Sequence, residues 1–268
     1  MAGRTKLTVS YLGAPFSGWQ RQPRARTVQG ELEGCLRRLT GGQPVAVVGA
    51  GRTDAGVHAA AQAAHVDLPV PIPVDVLPRA MNAGLAPDLR VRSAVAVADS
   101  FHARKSALGK HYAFRASWSE PELPWLGLRT AVVPRPDNRH ELEEACRRLP
   151  GRRDWASFTV PEVARRPTVR RLFAIDLEWR RHGVELHFFG EGFLRYQVRR
   201  MAGALLELGC GRMTFAELRR LVDEPTPGAH LPTAPAKGLT LERVFYRSSP
   251  RLRHSASCDD PGGGGALW

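Results

Sequence analysis

Hydrophobic and polar residues follow regular periods along the first hundred residues, and these periods predict alternating strands and helices. Residues 6–12 alternate apolar with polar side chains, which is typical of a half-buried strand. Residues 28–39 repeat apolar side chains along one face of a helix, and Thr27 before them is a suitable N-cap. Two runs of small and β-branched apolar residues, 44–50 and 60–68, predict buried segments, and the first reads as a strand.

The rest of the chain shows the same alternation of predicted elements. A Pro-rich stretch at 69–78 leads into a short helix, and residues 91–98 then predict another strand. Further along, the pattern predicts a helix over 138–149 capped by Asp137, a strand over 168–179 with a turn at 180–183, a helix over 193–209, a helix with a capping box of Thr214 and Glu217, and a last strand over 237–246.

This order of elements predicts an α+β fold. We expect two related half-domains with antiparallel-rich sheets and helices, meeting at a basic cleft. Residues 1–105 form the predicted N-terminal half and residues 106–247 the C-terminal half. Residues 248–268 are Gly-rich, and they predict a disordered tail.

Length and cysteine usage limit the class of protein. At 268 residues the chain can form one large domain or two of ordinary size without covalent staples. Its four cysteines show no C-x-x-C pair, and its histidines no H-E-x-x-H spacing, so we expect no disulfide framework and no metal. No stretch approaches the roughly 18 apolar residues of a spanning helix. We therefore expect a cytoplasmic protein that does not enter a membrane.

The net charge points to a polyanionic partner. It is +13, and nearly all of the basic residues are arginines, because lysine occurs only at positions 6, 105, 110 and 237. Arginine offers planar, bidentate donors that suit phosphates and stack on bases. Nucleic acid is the simplest partner. The alternative is a codon-composition effect, since alanine, glycine and proline are also abundant.

One loop carries the most specific candidate chemistry. The stretch GRTDAGVHA (51–59) places Arg52 and Asp54 between glycines and between two buried segments. In one interpretation Asp54 closes an Asx-turn by accepting nearby backbone N–H groups. In the other it is an ionised carboxylate for catalysis, and the adjacent Arg52 lowers its pKa.

Two further segments combine basic and aromatic residues. The stretch FLRYQVRR (193–200) could present Arg195 and Arg199 on one face of a helix, either to a buried carboxylate and phosphates or to solvent. The stretch FHARKSALGKHYAF (101–114) interleaves cations with rings, which suits flipped or single-stranded nucleotides. Its ordinary alternative is a strand with its rings in the core. No G-x-S-x-G elbow, Walker A loop or Rossmann fingerprint accompanies them.

Taken together, these segments resemble the tRNA pseudouridine synthase A family. The loop GRTDAGVHA is similar to that family's signature around its catalytic aspartate. The resemblance continues in the same order through YLGAPFSGWQRQ, MNAGLAPDLRV, FHARKSALGKHYAF, RLPGRRDWASF, FLRYQVRRMAG and APAKGLTLERVFY, and it runs from about residue 5 to residue 247.

The resemblance implies an isomerase that converts uridine to pseudouridine at positions 38, 39 and 40 of tRNA, without cofactor or metal and usually as a homodimer. Asp54 matches the catalytic aspartate, Tyr112 the tyrosine that stacks on the target base, and Arg199 the arginine that pairs with the aspartate. Arg52 would help to open the RNA. The other residues expected to bind substrate or RNA are Gly51, Thr53, His58, Trp19, Gln20, Arg21, His102, Arg104, Lys110 and Arg195.

Four positions depart from the family pattern. Lys105, Trp155, Gln197 and Arg200 replace other residue types, and none of them is assigned to the chemistry. Lys105 and Arg200 add charge, so RNA selectivity could differ. Two rival functions stay open: a pseudouridine synthase for other RNA positions, and a non-catalytic protein that binds or refolds RNA.

Overall fold

One mixed sheet runs through the residues that this computed structural model describes, 3–119 and 124–247. The predicted tail lies outside them. The strands are β1 (Arg4–Tyr11), β2 (Val48–Gly49), β3 (His58–Asp67), β4 (Leu89–Ala96), β5 (Gly109–Ser117), β6 (Ala131–Val132), β7 (Gly151–Asp154), β8 (Val169–Arg180), β9 (Gly183–Gly190) and β10 (Leu239–Phe245). The helices are α1 (Val28–Leu39), α2 (Leu77–Gly84), α3 (Pro124–Gly127), α4 (Arg139–Arg148), α5 (Pro161–Ala164), α6 (Gln197–Gly209) and α7 (Phe215–Asp223), with 3₁₀ turns at Ala156–Phe158 and Ala236–Gly238.

The sheet is mostly antiparallel, which confirms the predicted fold class. Its order is β4-β1-β3-β10-β5-β9-β8-β7, with β2 on β3 and β6 on β5. The β10–β3 and β5–β6 pairs are parallel, and the other pairs between the described strands are antiparallel. The last strand, β10, lies between β3 and β5 and so joins strands from both predicted halves. The division at residues 105 and 106 stays a prediction.

Local signals set several elements where the sequence predicted them. Helix α1 begins after Thr27, whose side chain accepts the N–H of Gly30. Its buried Leu32 and Leu36 share one core cluster with Leu7 of β1. Burying such a side chain contributes roughly 1.5–3 kcal/mol each. The β8–β9 hairpin and the α7 capping box of Thr214 and Glu217 are likewise confirmed.

Some predicted boundaries were wrong. Helix α4 begins at Arg139 with Asn138, not Asp137, at its N-cap, and no side chain caps it. Only Val48–Gly49 of the predicted strand at 44–50 pairs in the sheet.

In the sequence, Val169, Phe173, Ile175, Leu177 and Trp179 predict one apolar face for strand β8, but this face is interrupted. A register shift lies between Leu172 and Ala174, both of which are buried. Val169, before the shift, is 41% exposed, and Phe173 is only half-buried. The predicted single face therefore does not continue through the irregularity, since an irregular register changes which side chains face the core.

The helix predicted from residue 193 begins four residues later, at Gln197. The side chain of Gln197 turns back and accepts the N–H of Leu194 at 2.8 Å, which stabilises a turn before the helix. Arg195 lies in this turn, so the prediction that Arg195 and Arg199 share a helical face was wrong.

A glycine inside α6 brings a distant segment close to the helix. A Cβ at Gly203 would lie 2.3 Å from the carbonyl oxygen of Pro232. The segment that crosses here then bonds twice to Arg199: the N–H of Ala234 donates to the Arg199 carbonyl at 3.0 Å, and Nε of Arg199 donates to the Ala234 carbonyl at 2.8 Å. Gly203 therefore helps to fix the position of Arg199.

Replacement by alanine should change the free energy of unfolding in opposite directions at two helical glycines. We expect Gly203→Ala to lower the free energy of unfolding by about 1–3 kcal/mol, because the new methyl group meets backbone. Gly34→Ala in α1 should raise it by roughly 0.5–1 kcal/mol, because alanine favours the helix. The nearest atom to that new Cβ is Nη1 of Arg38, at 3.9 Å. Urea unfolding of both variants measures the difference, and changes of equal sign would contradict this packing account.

Candidate active site

Asp54 lies in the loop between β2 and β3, and three hydrogen bonds hold that loop in place. The Tyr11 hydroxyl and Thr53 Oγ1 are 2.9 Å apart. Nε2 of Gln62 donates to the Gly51 carbonyl at 3.0 Å, and the N–H of Trp19 donates to the Thr53 carbonyl at 3.1 Å. Tyr11, Gln62 and Trp19 therefore fix the backbone of the loop just before Asp54.

The segment after β1 packs directly on this loop. A Cβ at Gly13 would lie 2.3 Å from the Val57 carbonyl oxygen, and one at Gly18 would lie 2.8 Å from that of Thr53. Gly18 also has a φ of 91°, a conformation that favours glycine. Glycines at both positions thus allow two backbone segments to touch beside Asp54.

His58, predicted to bind RNA, is buried beneath the same loop. Its Nδ1 accepts the N–H of Gly13 at 3.0 Å. Burial, and then the charge of Arg129, lower the pKa of His58 to about 4, so that the ring is neutral at pH 7. A neutral ring keeps Nδ1 available as an acceptor. Through this hydrogen bond, His58 connects the segment after β1 to the end of the Asp54 loop.

The carboxylate of Asp54 points to an arginine and does not close an Asx-turn. The loop's turn is closed by backbone, since the N–H of Val57 donates to the Asp54 carbonyl at 3.1 Å. Oδ2 of Asp54 lies 3.5 Å from Nη1 of Arg199, near the start of α6. The side chains of Asp54 and Arg199 are only 25% and 15% exposed. The pairing expected between them is present in the structure.

Burial dominates the electrostatics of Asp54. Desolvation raises the pKa of its carboxyl above the ordinary value, while the charges of Arg199 and then Arg195 oppose that rise. We expected Arg52 to lower this pKa, but that was wrong: Arg52 is exposed and is not among the groups that shift it. A desolvated carboxylate beside one half-buried guanidinium is suited to nucleophilic or base catalysis.

Tyr112 reaches the same site from β5. Its ring is 6% exposed and meets Phe193 edge-to-face, with ring centroids 5.4 Å apart. Burial, then the charges of Tyr11 and Asp54, raise the pKa of Tyr112, so the phenol is protonated at pH 7. The three residues predicted to be catalytic, Asp54, Tyr112 and Arg199, are thus brought together.

Lys110 of β5 approaches the Asp54 loop at Gly51. A Cβ at Gly51 would lie 2.6 Å from Nζ of Lys110, so that glycine leaves the room for the ammonium group. Burial, then the charges of Arg104 and Arg170, lower the pKa of Lys110 to about 8. The predicted residues Gly51, Arg104 and Lys110 therefore lie together. Sequence reasoning missed Arg170, because no motif marks it.

The other residues predicted to bind RNA make structural contacts. Trp19 is 2% exposed, and a Cβ at Gly49 would lie 2.6 Å from its ring. Nε2 of Gln20 donates to Gln29 at 2.7 Å. Trp19 and Gln20 therefore pack behind the loop, on the side of β2 and α1.

Two basic segments lie at the surface near these contacts. Arg21 pairs with Glu33 at 3.1 Å and is largely exposed. Nδ1 of His102 accepts the N–H groups of Arg104 and Lys105 at 3.1 and 3.2 Å, so it orders the turn that carries them. The turn leaves both of these basic side chains exposed to solvent.

The part of the chain that the structure describes contains neither a cluster of metal ligands nor a helix suited to a membrane. No group of three or more His, Cys, Asp or Glu side chains between residues 3 and 247, leaving aside 120–123, could hold a metal ion. Over the same residues, no helix combines the length and the apolar character needed to cross a membrane.

Comparison with known proteins identifies the family. The sequence profile of a family described as tRNA pseudouridine synthase matches residues 7–104 and 145–247. The chain is 40% identical over 245 residues to tRNA pseudouridine synthase A of Streptococcus suis strain 05ZYH33, covering 91% of this chain and 98% of that protein. It is 38% identical over 241 residues to the protein of that name from Geobacter sulfurreducens, covering 90% and 98%. The chain therefore belongs to the tRNA pseudouridine synthase A family.

Proposed function

We propose that this protein isomerises uridine to pseudouridine at positions 38, 39 and 40 in the anticodon arm of tRNA, with Asp54 as the catalytic carboxylate. Membership of the family makes the chain an isomerase of tRNA uridine. The proposed positions rest on the resemblance of the motifs. One observation supports the assignment of Asp54 most strongly: its half-buried carboxylate lies 3.5 Å from the guanidinium group of Arg199.

The reaction exchanges one glycosidic bond for another. The bond between C1′ and N1 breaks, the uracil rotates, C1′ bonds to C5, and the proton on C5 is removed while N1 gains one. Asp54 could attack C6 of the base, attack C1′, or take a proton from the ribose. Each route needs an ionised carboxylate and a nucleotide extruded from its stack. The Asp54 loop supplies that carboxylate.

We assign complementary roles to the residues around Asp54. Tyr112 stacks on the target base, and because its phenol is protonated at pH 7 it gives up its own proton as it takes the one on C5. Arg199 pairs with the carboxylate. Arg52 is exposed beside the loop, where it can hold the place of the extruded nucleotide. Lys110 and Arg104 neutralise phosphates, and this role is supported by the basic group that they form with Arg170.

The remaining proposals concern the macromolecular partner, the oligomeric state, the cofactor and the location in the cell. Arg195 contacts the RNA backbone, and the basic net charge of +13 favours tRNA as the macromolecular partner. We further propose a cytoplasmic homodimer that uses no cofactor, as the resemblance implies.

Removing the Asp54 carboxylate should abolish the reaction and leave binding intact. We expect Asp54→Asn to reduce pseudouridine formation at least about a thousandfold on an unmodified tRNA transcript with uridines at 38, 39 and 40. The affinity for tRNA should stay within about threefold of wild type, because the carboxylate repels phosphate rather than binding it. Base-resolved pseudouridine mapping and filter binding measure the two quantities.

A surface aspartate provides the matched control for this substitution. Asp75 is exposed, so Asp75→Asn should leave both activity and binding unchanged. Full activity of Asp54→Asn would rule out the catalytic assignment. Product only at uridines outside the anticodon arm would move the proposal to another RNA site.

The affinity for tRNA should fall as pH rises through the pKa of Lys110. The group is charged below about pH 8 and neutral above it, so its attraction for phosphate is present at pH 7 and lost by pH 9. We expect a loss of roughly threefold to tenfold in wild type. Lys110→Met should show weaker binding and little of this pH dependence. The exposed Lys105 is the control: Lys105→Met should keep the pH dependence. An unchanged pH dependence in Lys110→Met would contradict the assignment.

A further inference from the structure

The residue before α6 has a backbone conformation that tyrosine rarely adopts. Tyr196 has φ 62° and ψ −2°, in the left-handed region. Steric contact between Cβ and the carbonyl oxygen makes that region unfavourable for L-residues other than glycine, with asparagine tolerated better than most. A bulky ring at such a position indicates a role when its surroundings hold it there.

Three hydrogen bonds fix the backbone around Tyr196. Oγ1 of Thr159 donates to the Arg195 carbonyl at 2.9 Å. The N–H of Leu194 donates to Oε1 of Gln197 at 2.8 Å, and the N–H of Arg200 donates to the Tyr196 carbonyl at 2.9 Å. The turn is therefore held by its neighbours as well as by the first turn of the helix.

The Tyr196 ring contacts both arginines whose charges act on Asp54. The guanidinium carbon of Arg195 lies 4.9 Å from the ring centroid and that of Arg199 lies 5.4 Å from it. Nη2 of Arg195 also donates to the Tyr196 hydroxyl at 3.2 Å. Attraction between a cation and an aromatic face restrains the guanidinium group.

The charged and titratable groups around the Asp54 carboxylate come from two elements. Arg199 belongs to α6, and Arg195 precedes that helix. Tyr112 belongs to β5, and its pKa is raised in part by the charge of Asp54. The two arginines are the groups that oppose the desolvation of Asp54. Both of them contact the ring of Tyr196, whereas Tyr112 meets the ring of Phe193.

We propose that Tyr196 is a positioning residue whose ring holds the Arg199 and Arg195 guanidinium groups toward the Asp54 carboxylate. The left-handed conformation places the ring within reach of both guanidinium groups. Glycine or asparagine would relax the turn but would release the two cations. The inference rests on the proposed function, because it assigns the pair of cations to the catalytic carboxylate.

Two substitutions separate the ring from the backbone strain. Tyr196→Phe keeps the ring in the same turn and loses only the hydroxyl contact. Tyr196→Asn removes the ring but accepts the left-handed conformation. We expect Tyr196→Asn to melt no lower than wild type and Tyr196→Phe to melt close to it. Thermal melting therefore shows that both proteins are folded before activity is compared.

The activity measurement is the pH dependence of kcat/KM for pseudouridine formation, and the quantity compared is the pH at which its acid limb falls. Tyr196→Asn should move this limb to higher pH by about half a unit, since Asp54 loses part of its cationic support. Tyr196→Phe should leave the limb in place. An unshifted limb in Tyr196→Asn, or an equal shift in both variants, would overturn the proposal.

A second readout does not depend on activity. The ¹³C resonance of the Asp54 carboxyl, assigned with Asp54→Asn, can be titrated in the free protein. We expect the pKa of the Asp54 carboxyl to rise by about half a unit in Tyr196→Asn and to stay unchanged in Tyr196→Phe. If wild type formed no pseudouridine, the proposed function would fail, and this titration would still decide for or against the role of Tyr196.

Discussion

The structure around the site depends on one ion pair, between Asp54 and Arg199. The two residues are far apart in the chain, and they meet at 3.5 Å with both side chains largely shielded from solvent. Taking two charges out of water is costly, and their attraction offsets that cost only when the geometry is held. The protein supplies that geometry with its own backbone. Pro232–Ala234 fix Arg199 from one side, and Tyr11 with Gln62 hold the Asp54 loop from the other.

Close backbone approaches are what make this arrangement possible. Gly13 and Gly18 let the segment after β1 touch the Asp54 loop, Gly51 makes room for Lys110, and Gly203 lets Pro232 cross α6. Each is a position where a methyl group would meet backbone or a cation rather than open space. Steric precision around the site thus comes from residues that carry no chemistry themselves.

Much of the fold could be predicted because the signals are local. The cap of α1 at Thr27 and the capping box at Thr214 depend on neighbours within four residues, and the α+β class follows from the order of elements. The place of β10 between β3 and β5 could not be predicted, because it depends on pairing between distant strands. The start of α6 was missed because a side chain, Gln197, competes with the backbone for Leu194.

Motifs could predict which side chains meet at the candidate site, while their catalytic roles stay a prediction. A nine-residue motif pointed to Asp54, and the other matching segments pointed to Tyr112 and Arg199, which the structure brings together. The balance that sets the pKa of Asp54 was predicted only in part: burial raises it and the expected partner Arg199 opposes the rise, but the second opposing charge is Arg195 and not the adjacent Arg52. Arg170 lies in no motif, and Tyr196 lies in the segment FLRYQVRR but was given no role there, because only the folded chain shows what the two residues contact.

The most direct test of the account is the ¹³C titration of the Asp54 carboxyl in the free protein, in wild type and in Arg199→Gln. Desolvation should hold the wild-type pKa above the ordinary aspartate value of 3.8, and loss of the Arg199 charge should raise it further. An equal or lower pKa in Arg199→Gln would contradict the claim that this arginine supports the ionised carboxylate.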